Sequence, residues 1–138
     1  MILFHTETTF KIFPKRKYKA WINALILSKE KKVGNIHYIF CGDEYLLEIN
    51  KKYLQHDTYT DIITFDYSEN EVLSGDIFIS IERVRENAEK YQISFQEELL
   101  RVLSHGVLHL IGYRDKTEKE IKEMREEENR AILLFEKI

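Results

Sequence analysis

Residues 104–115 read SHGVLHLIGYRD, and no other stretch restricts the fold of this chain as strongly. Phe95, Leu99, Val102, Leu103, Val107, Leu108 and Leu110 recur at helical spacing, so this segment must bury one face of a helix that runs to about Ile111. Ser94 with Glu97 three residues later opens it as a capping box, and Gly112 supplies the residue that ends it. The same helix carries His105 and His109. Residues four apart lie on one face about 6 Å apart along the axis, so the two imidazoles can converge on a single ion. Gly112 also lets the chain reverse, which brings Asp115 back toward that face.

The pattern is H-x3-H-x5-D. Two histidines and a carboxylate suit zinc at an open, catalytic position, because structural sites close all four positions with protein ligands and often use cysteine. Cys41 is the only cysteine, which excludes an internal disulfide and a cysteine-rich zinc knuckle. Gly106 stands where the H-E-x-x-H proteases carry their general base, which weakens a peptidase reading. The residues alone leave a second reading open, in which both histidines are satisfied core residues and Asp115 caps the last helix with Glu118 three residues on. Thr117 with Glu120 offers an equivalent cap, and that competition leaves the Asp115 carboxylate partly free.

The rest of the chain supplies alternating elements. MILFHTE reads as a first strand. After Pro14, a helix over about 15–32 places Tyr18, Trp21, Ile22, Leu25 and Ile26 on one face. VGNIHYIFCG is a second strand, followed by Asp43 as the cap of a helix with Leu46, Leu47 and Leu54 on one side. TDIITFDY and SGDIFISIERV are strands joined by the turn-forming SENEVLSG and are expected to pair. ERVRENAEKYQ is a short polar helix, and Ile121, Met124, Ala131, Ile132 and Phe135 mark a final amphipathic one. The order β-α-β-α-β-β-α-α-α predicts an α+β domain over residues 1–138, a small mixed sheet packed against helices.

A chain of 138 residues is the size of one domain with its own core. Its 43% hydrophobic and 33% charged residues describe a globular protein, and no apolar run approaches the roughly 18 residues of a membrane span. MILFHTETTFKIF has no basic leader, so a cytoplasmic protein with no membrane partner is expected. A net charge of −3 excludes a surface that grips nucleic acid all over. Five basic residues between Lys11 and Lys19 remain as a local patch, opposite in sign to EIKEMREEEN near the end.

These segments resemble the YbeY family of bacterial metal-dependent endoribonucleases and ribosomal RNA maturation factors. HGVLHLIGY is similar to the core of that family's H-G-x-L-H-L-x-G-Y-D-H motif. INKKYLQHDTYTDIITF resembles its L-N-x-x-Y/F-R-x-K-D-x-P-T-D-V-L-S-F segment through Asn50, Tyr53, Asp57, Thr60, Asp61 and Phe65, and GDIFIS at 75–80 resembles its G-D-I-x-I-S strand. The resemblance implies an α+β fold and one zinc ion per chain on His105, His109 and Asp115, the last standing where the family has a third histidine. An anionic ligand there lowers the net charge at the metal and makes its water less acidic. The family's arginine aligns with Leu54 and its lysine with His56. His56, or Arg114 beside the metal ligand, is therefore the expected substitute positive group, while Thr60 and Asp61 are expected to orient water or substrate. Glu98, two turns before His105, is expected to pair with Arg101.

The implied activity is that of a zinc-dependent, single-strand-specific endoribonuclease. It would act on ribosomal RNA at the 3′ end of the 16S species and in ribosome quality control, with the metal polarising a phosphate oxygen. The competing readings are a non-catalytic, metal-containing ribosome or RNA-binding factor, favoured by Leu54 and the modest charge, and an unrelated zinc hydrolase.

Overall fold

A computed structural model describes residues 1–138. The elements follow the expected order: β1 (Ile2–Thr6), α1 (Lys15–Ser28), β2 (Lys32–Cys41), α2 (Asp43–Leu54), β3 (Ile62–Asp66), β4 (Val72–Ser80), α3 (Ile81–Tyr91), α4 (Phe95–Ile111) and α5 (Glu118–Phe135). The strands form one sheet in the order β1-β2-β4-β3. The pairs β1–β2 and β2–β4 are parallel, because a helix crosses over between their members, and the β3–β4 hairpin is antiparallel. The mixed sheet packed on helices is thus an α+β domain.

Side-chain alternation decides what each face of the sheet meets. Ile36, Tyr38 and Phe40 of β2 and Leu73, Ile77 and Ile79 of β4 point into the main core, where they join Trp21, Ile22 and Ile26 of α1 and Leu99, Leu103 and Val107 of α4. The opposite face carries a smaller cluster of Cys41, Leu46 and Ile63 near α2. Burial pushes the Cys41 thiol up to about 12, so it is a small apolar group at neutral pH. Trp21 donates its indole N–H to the Ala131 carbonyl at 2.7 Å and meets Phe135 edge-on, which fixes α5 against α1.

Two local expectations are corrected. The first helix ends at Ser28, four residues short of the expected 32, because Lys32 already belongs to β2 and pairs with Val72. Asp43 is not the cap of α2. Gly42 holds that position, and the Asp43 carboxylate instead accepts from Ser80 Oγ at 2.6 Å and Arg83 Nη2 at 3.1 Å. Ser94 caps α4 by accepting from the Glu97 N–H, without the return contact of the expected capping box, while Thr117 forms the complete box with Glu120.

Gly106 sets how closely α4 lies on the sheet. A Cβ there would sit 2.9 Å from Ile77 Cγ2 and 3.1 Å from Ile62 Cδ1. Its absence brings the last turns of α4 down onto β3 and β4, with His105 and His109 at the border of the core.

Candidate metal centre

The two histidines occupy the last two turns of α4. Their Nε2 atoms are 2.9 Å apart and their rings are nearly perpendicular, with centroids 4.5 Å apart. Asp115 completes the group. Gly112 adopts φ +123° and ends the helix, and three residues later the Asp115 Oδ2 lies 3.3 Å from His105 Nε2 and 3.4 Å from His109 Nε2. The ligand atoms of all three residues lie within 4.8 Å of one another. Asp115 caps nothing, since Thr117 performs that task for α5.

Hydrogen bonds at the far side of each ring settle what the near side offers. His109 Nδ1 lies 3.0 Å from the Tyr113 carbonyl oxygen, which can only accept, so Nδ1 carries a proton and, in the neutral ring, Nε2 keeps its lone pair. His105 Nδ1 lies 2.7 Å from Glu128 Oε2, with the same consequence. In their neutral forms the two imidazoles thus aim nitrogen lone pairs, together with a carboxylate oxygen, at one point, an arrangement that suits a bound cation. The donor set suits zinc, with the carboxylate–histidine support common around metal-binding imidazoles. Burial works against protonation of His105, but Glu128, Asp115 and Asp61 outweigh it and hold its pKa above the ordinary value.

Glu128 was not among the residues singled out from the sequence. It is 5% exposed, and its second oxygen accepts from Arg101 Nη1 at 3.1 Å. Its signal was present: Met124, Glu128, Ala131 and Phe135 form one helical stripe, and a carboxylate in that stripe calls for a partner across the interface. The expected Glu98–Arg101 pair is corrected by the same contact, since Arg101 reaches Glu128 and, at 4.0 Å, Glu97. Glu98 is 4% exposed, without an ion pair. Burial, reinforced by Asp61 and opposed by Arg101 and Arg125, pushes its carboxyl up to about 7.

His105, His109 and Asp115 open into a cavity of about 920 Å³ between α4, α5, β3 and the segment after α2. Thr60, Asp61, His56 and Leu54 all line it. Arg114 does not: it is exposed outside the lining, and its charge acts on Glu120. Thr60 Oγ1 is 3.4 Å from the Ile62 carbonyl, a local turn contact. Burial raises the Asp61 carboxyl above its usual range, against the field of His105. Tyr59 and Tyr91 are 50% and 56% exposed and stand in the wall, with the Tyr59 hydroxyl donating to Glu44 Oε1 at 2.6 Å.

Comparisons with known proteins cover nearly the whole chain. Residues 3–136 match the family model described as Endoribonuclease YbeY. A protein of that name from Flavobacterium johnsoniae is 50% identical over 135 residues, covering 98% of this chain and 97% of its own length. Another from Flavobacterium psychrophilum is 52% identical, with coverages of 98% and 96%. The solution structure of a Thermotoga maritima protein superposes with a TM-score of 0.70 at 26% identity, over 98% of this chain and 89% of the other.

Proposed function

The chain belongs to the endoribonuclease YbeY family, and from that premise we propose that it is a zinc-dependent endoribonuclease acting on single-stranded ribosomal RNA. Its setting in this reading is the cytoplasm, where it matures the 3′ end of 16S ribosomal RNA and serves ribosome quality control, with the ribosome as partner. The observation that carries the proposal is the convergence of His105 Nε2, His109 Nε2 and Asp115 Oδ2 at the floor of an open cavity.

Those three residues would hold the zinc. When bound, the ion supplies Lewis-acid polarisation of a phosphate oxygen and an acidified water. The protein's own part is orientation. Glu128 and the Tyr113 carbonyl keep both imidazoles turned with Nε2 inward. Asp61, which lines the cavity in the field of His105, would accept a proton from the attacking hydroxyl, with His56 a second proton carrier in the same wall. Thr60 meets the substrate from the adjoining turn, and Arg114 contacts RNA beyond the rim. Exposed Tyr59 and Tyr91 rings favour a single strand, whose unstacked bases can lie on them.

The test joins metal analysis to cleavage of a defined single-stranded RNA. About one zinc per chain and cleavage that is lost in His109→Ala are the expected results. Folded protein, never exposed to chelator, that holds no transition metal sinks the metal reading. A metal-loaded protein that binds RNA without cutting it favours the non-catalytic factor, for which Leu54 in the cavity wall is the supporting observation.

A further inference from the structure

The charges around the cavity do not by themselves welcome a phosphodiester. Asp61, Asp66, Glu98, Asp115 and Glu128 line it, and a divalent ion held by two neutral histidines and one aspartate keeps a single net positive charge. Three cations line the same space, Arg101, Lys116 and Arg125. Arg101 is already committed to Glu97 and Glu128. Lys116 and Arg125 are exposed, and neither side chain has a carboxylate within 4.0 Å, although other arginines of this chain, such as Arg83 and Arg130, are ion-paired.

The fold aims these two at the site. Ile121, Arg125 and Glu128 lie on one stripe of α5, and all three line the cavity. Arg125 therefore stands one turn, about 4.5 Å along the axis, from the carboxylate that holds His105. It shares the cavity wall with the buried Glu98 of the opposing helix. Lys116 directly follows the ligand Asp115. An unpaired planar guanidinium beside a metal centre suits a phosphate oxygen pair, and the lysine adds a second point charge.

We propose that Arg125, assisted by Lys116, is the phosphate-gripping arm of this cavity, holding the backbone of a single-stranded RNA against the metal ligands from the α5 side. The assignment rests on the endoribonuclease reading. It gives that reading its cationic contact on α5, across the cavity from Leu54.

Zinc-loaded parent, Arg125→Ala, Arg125→Glu and Lys116→Ala are compared for binding of a fluorescent 2′-O-methyl strand, shown intact on a gel after each titration, by anisotropy over a salt series. One single-strand phosphate contact contributes about 0.7 to the slope of log K against log salt, which amounts to about fivefold in affinity between 1 M and 0.1 M salt. Arg125→Ala should therefore bind about fivefold more weakly at 0.1 M salt with a slope about 0.7 shallower, Arg125→Glu should lose more, and Lys116→Ala should lose in the same direction. Zinc content should match the parent, because Arg125 touches no ligand, and the melting temperature of each variant is recorded so that only folded protein is compared. An Arg125→Ala protein with the parent's affinity, or with weaker binding at an unchanged salt slope, overturns the assignment while leaving the endoribonuclease reading intact. A zinc-loaded parent that fails to bind RNA at all removes that reading, and this assignment with it.

Discussion

Replacing Glu98 with glutamine in metal-free protein should stabilise the fold at neutral pH and leave it unchanged in acid. The side chain is 4% exposed and carries no ion pair, and its carboxyl is displaced from 4.5 to about 7. Its folded pKa is thus raised above the unfolded one. Through the window from about 4.5 to about 7 the folded state keeps a proton that the unfolded state has lost, so stability falls as pH rises and stays low above that window. At 1.36 kcal/mol per pH unit the displacement is worth at most about 3 kcal/mol, or about 10 °C in melting temperature for a domain of this size. Glutamine has the same shape without the charge. Urea or thermal unfolding of chelator-treated parent and Glu98→Gln at pH 4, 6 and 8 should show curves that coincide in acid and separate progressively to pH 8, with the variant the more stable. A gap that is constant with pH, or a variant that is less stable at pH 8, would refute the claim that burial and Asp61 oppose this charge.

Other outcomes follow from the centre itself. Asp115→Ala should lower zinc affinity by orders of magnitude and Asp115→His should restore it; full zinc occupancy in Asp115→Ala, read by elemental analysis, overturns the ligand assignment. Glu128→Gln should weaken zinc binding about 10–100-fold, because it loosens the ring that presents Nε2 of His105, and competition with a chromophoric chelator measures this. Removing the metal should lower the melting temperature, since a ligand at about 1,000 times its Kd adds about 4 kcal/mol, and an unchanged transition after chelation argues against a tight site. Gly106→Ala should cost about 1–3 kcal/mol in urea unfolding, because its methyl would sit 2.9 Å from Ile77 Cγ2, and a neutral effect would mean that α4 can lift from the sheet.

Much of the centre is written within a few turns of chain. The four-residue step from His105 to His109, the stop at Gly112 and the return to Asp115 depend on helix geometry and one permissive residue, so the candidate ligand set is legible in twelve letters of sequence. The same holds for the caps at Ser94 and Thr117 and for the β3–β4 hairpin, whose partners are neighbours along the chain. Contacts within a turn or two need only local backbone geometry, and they form where no distant group competes for the side chain.

What tertiary structure decided lies farther apart. The sheet order β1-β2-β4-β3, the early end of α1 and the transfer of Asp43 from cap to Arg83 partner all depend on which segments pack together. The support for His105 comes from Glu128, 23 residues away, and the same packing draws Arg101 off Glu98 and leaves that carboxylate without an ion pair. Arg114 stands next to a ligand in sequence yet turns outside the cavity, while Arg125, ten residues beyond Asp115, faces it. Periodicity states which face of a helix is buried. Which polar group meets which across the interface is set by the docking of α5 on α4, where a buried charge must find its partner among whatever the facing helix presents.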